Sequence, residues 1–404
     1  MMRHLNRWIY AIVCVVVMLF AGLCYAWSVM AKSISATYPE WTEAQLSLTF
    51  TLVIGCISVS AIVVGILNKR VSPRVFIIIS ASFLLAGFLI AASVGSSPFL
   101  LYLGFGVIGG LGSGFAYATV MGLMSAWFPD RQGLISGILL MAFAFGAFIV
   151  GKVFAAVAPP GDEMWRMMFR LFGIVICVLF VICSFFFVKP DADFAPPVSK
   201  RKKQVREPAS EIPIGQMAKK PVFWMYYIWA VLLASAGLIL LSQGSGIALQ
   251  VGSQITPGTV ATVVGLISVL NGAGRVVFGA IFDKKGFRMT LTLSMIIFFI
   301  ACLCLVLALK SGTFAFVVLG FSIGGFAYGA VTPTNSAFVS DFYGRKNYAM
   351  NFSLINTTML VASFASTIAG RLYDVSGSYL NCIFLMIGVI TAGAVVSAGI
   401  RRPK

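Results

Sequence analysis

The chain holds 29 Lys and Arg, 12 Asp and Glu and one His, and their positions limit the chemistry open to it. The acids are Glu40, Glu43, Asp130, Asp162, Glu163, Asp191, Asp193, Glu207, Glu211, Asp283, Asp341 and Asp374, all in polar joints or at the ends of apolar runs. The His is His4, in the N-terminal tail. A general base within reach of a nucleophile has no candidate inside the apolar runs, which excludes a membrane hydrolase. Proton carriage by an intramembrane acid, and export of a cation against a buried carboxylate, lack their central residue as well. Eight Cys (14, 24, 56, 177, 183, 302, 304 and 382) all fall inside apolar runs. They form no loop framework, so no disulfide, metal site or cofactor is expected.

Arg275 is the exception among the charges. It stands inside the apolar run 258–282, seven residues from the nearer end, a depth of roughly 10 Å at 1.5 Å per residue. A charge at the centre of a membrane helix costs at least ~2.5–3.5 kcal/mol. One reading is an Arg that snorkels to the surface. The other is that an anionic substrate neutralises it, since the guanidinium fork fits a carboxylate bidentately. Asn271 lies four residues earlier on the same helical face. It can bond the substrate, orient Arg275, or pack helices beside Gly272 and Gly274. Tyr25, Tyr117 and Tyr328 sit well inside their runs, and a buried Tyr hydroxyl usually finds a partner.

The elements that must position these residues follow from composition. The chain of 404 residues is 60% apolar and 10% charged, against about 45–50% and about 25% in soluble domains. A soluble enzyme is excluded, and so is disorder, which needs low hydrophobicity. The 40 Gly agree, because Gly is frequent in membrane helices. Twelve continuous apolar runs can be marked near 8–31, 44–67, 74–94, 98–126, 133–157, 166–188, 221–249, 258–282, 288–310, 313–340, 347–371 and 377–399. Their continuity predicts membrane helices, since barrel strands would alternate. The first run is too long for a secretory signal core.

Placing both termini in the cytoplasm puts 22 of the 29 basic residues on that side. This predicts a multi-pass protein of the cell membrane with both ends inside. Lys32, Lys152 and Lys310 fall near outer ends, where snorkelling is the default. Trp8, Trp41, Trp165 and Trp224, at run ends, fit an interfacial aromatic belt. The small residues Gly106, Gly110 and Gly114 predict close helix contact. Residues 189–220 form a Pro-rich joint with a basic run from Lys200 to Arg206. A cytoplasmic linker near anionic lipid accounts for it, without nucleic acid. It divides the chain into 1–188, 189–220 and 221–404.

The two outer parts repeat one another. Gly112-Ser-Gly-Phe-Ala-Tyr117 returns as Ile323-Gly-Gly-Phe-Ala-Tyr328, 211 residues on. Gly65-Ile-Leu-Asn-Lys-Arg-Val-Ser-Pro-Arg74 returns as Gly279-Ala-Ile-Phe-Asp-Lys-Lys-Gly-Phe-Arg288, 214 residues on. The expected fold is an all-α polytopic membrane protein of 12 helices in two six-helix bundles related by a pseudo-twofold. Such repeats mark transporters, with the substrate site near the midplane between them.

The second of these segments resembles a known loop. Gly279, Asp283, Lys284, Gly286 and Arg288 fit the G-x-x-x-D-[RK]-x-G-[RKx]-[RK] motif of the major facilitator superfamily, where it acts as a latch. The first copy departs, with Lys69 for the acid and Ser72 for the glycine. A narrower set resembles the oxalate:formate antiporter family, a bacterial branch related to the monocarboxylate transporters. It comprises Asn6-Arg-Trp8, Tyr25-Ala-Trp27, Trp127-Phe-Pro-Asp-Arg131 with Gly133, Asn271-Gly-Ala-Gly-Arg275 and Pro333-Thr-Asn-Ser336.

The resemblance implies a secondary transporter, not an enzyme, working by alternating access as a monomer. It implies that Arg275 is the substrate counter-ion and that Tyr25, Tyr117 and Tyr328 line the cavity. Oxalate carriers of the family place a second cation, a Lys, where this chain has Ile355, beside Asn356. They place Trp where Gly324 stands. One buried cation suits a monocarboxylate such as lactate, pyruvate or formate better than a dianion. Asn356 and Phe352 are further candidates for the cavity. Anion exchange and proton symport both fit as coupling. The alternatives are an oxalate or other dicarboxylate antiporter, a carrier of another drug-like anion, and a membrane sensor that binds an anion without moving it.

Overall fold

The protein is described here by a computed structural model covering residues 6–68, 70–128, 132–159, 163–191, 210–252, 255–344 and 347–402. The basic run Lys200–Arg206, and with it most of the expected linker, lies outside the described residues, as do His4, Lys69, Asp130 and Arg131.

The described residues are helical, with no strand. Twelve helices are long and apolar enough to cross a membrane. They are α1 Arg7–Thr37, α2 Glu43–Leu67, α3 Pro73–Ala92, α4 Phe99–Trp127, α5 Ile135–Val157 and α6 Met164–Ser184 in the first half. The second half holds α7 Pro221–Val251, α8 Pro257–Lys285, α9 Phe287–Ser311, α10 Phe314–Tyr343, α11 Met350–Ser376 and α12 Leu380–Gly399. Local chemistry sets their ends. Thr42 and Gln45 form a reciprocal capping box at the start of α2. Ser72 and Thr256 cap α3 and α8, each followed by Pro at the first helical position. Gly286 turns the chain from α8 into α9 at φ 83°, a left-handed value that a side chain would strain.

Contacts sort the helices into two bundles. In the first, α3 packs on α6 and α4, α2 on α4, and α1 on α5. In the second, α7 packs on α11, α12 and α10, and α8 and α9 both pack on α10. The bundles meet where α2 lies on α11, α5 on α8, and α1 on α7. Twelve crossings return the chain to the side where it began. That side, holding Arg7 and Gly399, is the termini side, and the opposite one is the far side.

Four spans are irregular. Residues Gly22–Ala26 of α1 wind as a 3-10 segment, and Tyr102–Gly109 of α4 as a π segment. The α10 ladder is interrupted at Gly329 and Ala330, and that of α11 at Thr357. Non-α stretches inside a membrane helix are tolerated where protein surrounds them. At Gly22 the reason is contact. A Cβ there would lie 1.7 Å from the Phe143 carbonyl oxygen, so only glycine lets α1 meet the α5 backbone.

Several expectations at helix ends are corrected. Trp41 and Trp165 are buried and do not sit in an aromatic belt. Their indoles donate to the Ser96 carbonyl and the Thr37 hydroxyl, each at 3.0 Å. Trp8 and Trp224 are exposed as expected. Lys32 does not snorkel freely: it pairs with Glu43. Lys152 reaches the Gly258 carbonyl and the Thr262 hydroxyl.

Candidate functional site

The site is built around α8. The helix continues to Lys285, so Arg275 lies ten residues from its end, roughly 15 Å by the helical rise. Helical side chains lean toward the helix N-terminus. The α8 N-terminus, Pro257, is on the far side. The Arg275 side chain therefore leans away from the nearer surface, and snorkelling there is disfavoured by direction as well as depth. Arg275 is 8% exposed. Among the described residues the acid–base pairs are Lys32–Glu43, Arg166–Glu163 and Arg402–Asp341, and none includes Arg275.

Its neighbours come from both bundles. Tyr25 of α1, Tyr117 of α4 and Tyr328 of α10 all lie in the electrostatic reach of Arg275. Tyr25 and Tyr328 also face each other across the bundles, though the Tyr328 hydroxyl gains no hydrogen bond of full geometry. Three buried polar atoms at this place lack a protein partner: Arg275 Nε, Asn271 Oδ1 and the Tyr328 hydroxyl. Buried polar groups are normally hydrogen-bonded. Two of them lie on α8 and the third on α10, which packs against it.

Backbone contact aims these groups. A Cβ on Gly274 would sit 2.0 Å from the Phe326 carbonyl oxygen, and one on Gly329 would sit 2.4 Å from that of Asn271. Glycine thus lets α8 and α10 touch main chain to main chain, which brings Tyr328 beside Arg275. On the other bundle, Phe143 of α5 holds two tyrosines at once. Its ring meets Tyr25 and Tyr117 edge-on, each at 5.4 Å between centroids. Sequence reasoning missed Phe143, which as one Phe in 35 carries no distinguishing mark.

Phe352 and Asn356 are half-buried on the termini-side part of α11. Ile355, where a second cation was considered, is fully buried. Of the loop residues, Asp283, Lys284, Gly286 and Arg288 stand at the α8–α9 turn on the termini side, whereas Gly279 lies within α8 one helical turn after Arg275. There Gly286 has a clear backbone role, and the side chains of Asp283, Lys284 and Arg288 are exposed.

Comparison with known proteins agrees with this architecture. The Major Facilitator Superfamily pattern matches residues 9–367, with a second match over 245–404. The chain belongs to the Major Facilitator Superfamily. Among superfamily members, an uncharacterized MFS-type transporter of Escherichia coli, YhjX, is 26% identical over 356 residues, covering 87% of this chain and 84% of that one. The oxalate:formate antiporter of Oxalobacter formigenes is 25% identical over 351 residues, covering 85% and 80%. Monocarboxylate transporter 9 of Rattus norvegicus is 27% identical over 165 residues, covering 39% and 30%. A bacterial homolog of the human lysosomal transporter Spinster, solved inward-facing and unoccupied, shares the fold. It has a TM-score of 0.72 at 13% identity, over 98% of this chain and 96% of that one. The protein is thus a multi-pass membrane transporter of this superfamily.

Proposed function

We propose that this transporter carries small organic anions, foremost monocarboxylates of the lactate, pyruvate and formate class. The carrying observation is Arg275: a buried charge roughly 15 Å from the end of α8, with no acid partner among the described residues, within electrostatic reach of three tyrosines. A carboxylate satisfies the guanidinium fork and accepts from the tyrosine hydroxyls. Asn271 acts from the same face. A dianion would leave its second charge among uncharged groups, with Ile355 offering no cation. Phe352 and Asn356 serve the access path on the termini side, which we assign to the cytoplasm from the basic residues there. The Gly279–Arg288 turn acts as the latch of that side. The likeness to an oxalate:formate antiporter and to a monocarboxylate transporter supports carboxylate as the recognised group.

The test is uptake by purified protein in liposomes, with labelled lactate, pyruvate, formate and oxalate. Removing one partner of a buried charged pair costs about 2–5 kcal/mol. Arg275→Ala is therefore expected to lower monocarboxylate uptake about a hundredfold at subsaturating substrate, and Arg275→Lys to rescue it only in part. Undiminished uptake in Arg275→Ala would reject the assignment. Preference for oxalate would reject the monocarboxylate class.

A further inference from the structure

Several polar ties join the two bundles on the far side. The Asp374 carboxylate of α11 accepts from two main-chain amides at the start of α2, Glu43 at 2.8 Å and Ala44 at 2.9 Å. Those amides belong to the first turn, which has no intrahelical acceptor, and the acid also meets the positive end of the α2 dipole. One side chain of the second bundle thus caps a helix of the first. Next to it Lys32 of α1 pairs with Glu43 and donates to the Tyr379 hydroxyl at 3.3 Å. Burial, and then the Glu43 charge, push the Tyr379 hydroxyl far up from its ordinary range, so it stays protonated.

Below this layer the ties are neutral. Gln243 of α7 donates to Ser47 of α2 at 2.7 Å. Ser245 donates to Ser28 at 3.3 Å. Thr51 donates to the Ser363 carbonyl at 2.8 Å. Small residues close the seam: a Cβ on Gly370 of α11 would lie 2.7 Å from the Glu43 carbonyl oxygen. Alternating access requires every one of these ties to break when the far side opens.

We propose that Asp374, with Lys32, Glu43 and Tyr379, forms the far-side gate, and that the Asp374 cap on α2 holds the carrier in its far-closed state. Asp374 thereby becomes a functional residue of the transport cycle that never touches substrate. The acid motif of the termini side is halved, since Lys69 replaces the acid in the first copy. The charged latch of the far side tips the resting balance toward far-closed.

The gate can be read without substrate. Cysteines placed at Ser97 and Ser311, exposed at the far ends of the two bundles, carry spin labels, and the distance distribution is measured in lipid. Unsubstituted protein supplies the labelling background. The parent pair is expected to give one short population. Asp374→Asn keeps one acceptor but loses the charge and the second oxygen. It is expected to raise a longer, far-open population at least severalfold. Glu43→Gln, a second route to the same gate, should do so more weakly. Asp341→Asn, which breaks an ion pair to Arg402 on the termini side, should leave the distribution unchanged. Parent-like distributions in both Asp374→Asn and Glu43→Gln would overturn the proposal, as would an equal shift in Asp341→Asn. The result is independent of the anion reading. A shifted distribution without monocarboxylate uptake removes the substrate class and leaves the gate, whereas uptake with an unshifted distribution does the reverse.

Discussion

At the scale of single residues, the proposed site rests on one guanidinium and is refined by uncharged groups. Arg275 supplies the charge, and Tyr25, Tyr117 and Tyr328 supply donors that are neutral and therefore cheap to hold in a membrane. A hydrogen bond to a charged group contributes about 1.5–3 kcal/mol. Tyr328→Phe removes one such donor and keeps the ring on which α7 packs. It is expected to raise the KM for monocarboxylate uptake about tenfold or more, with Vmax nearly kept and the melting temperature unchanged. Phe143→Leu acts on two tyrosines together, because both rest on its ring. It is expected to raise KM beyond the Tyr25→Phe single variant, and equal values for the two would show that the ring does not aim the hydroxyls.

At the scale of elements, glycine decides how closely the helices that carry these groups can lie. The contact of α8 with α10 runs through Gly274 and Gly329, where backbone meets backbone. Gly274→Ala forces the two helices apart, and overpacking of this kind costs about 1–3 kcal/mol. The expected outcome is a lower melting temperature together with weaker uptake, since Tyr328 moves away from Arg275. Gly258→Ala, at a position with open space around it, is the matched control and should change neither. Thermal unfolding in detergent and uptake in liposomes check both. The same contacts mark what was legible in sequence. The repeat of Gly-Phe-Ala-Tyr pointed to Tyr117 and Tyr328, and the spacing of Asn271 and Arg275 pointed to one face. Phe143 was not legible, because its role comes from the helices it touches and not from its type. Trp41 and Trp165 were misplaced for the mirror reason: a tryptophan at a run end suggests lipid headgroups until a neighbour's carbonyl or hydroxyl is seen to take its indole.

At the scale of the whole molecule, the carrier has two bundles, a charged far-side seam and, among the described residues, one buried cation. On the proposed assignment, an empty carrier reorients with Arg275 unpaired, whereas a loaded one moves it neutralised, and an unpaired charge in the membrane interior is costly. Loaded reorientation should therefore be faster than empty return. Internal lactate is expected to accelerate uptake of external labelled lactate severalfold in liposomes held at equal pH on both sides. Equal rates with and without internal lactate would exclude exchange as the preferred mode.

Twelve helices, their even count, the two-part repeat and the one deep cation follow from the amino-acid sequence by itself. Each rests on the energy of placing a group in lipid, which depends on residue type and local spacing. Membership of the superfamily was visible at the same level, in the Gly279–Arg288 motif. That Phe143 packs against both Tyr25 and Tyr117 and that Asp374 caps a helix of the other bundle were decided only in the tertiary structure. These are contacts between residues as far apart in the chain as Glu43 and Asp374. Their free energy depends on how helices approach and on which main-chain amides are left without an acceptor, and neither is encoded in the type of one residue.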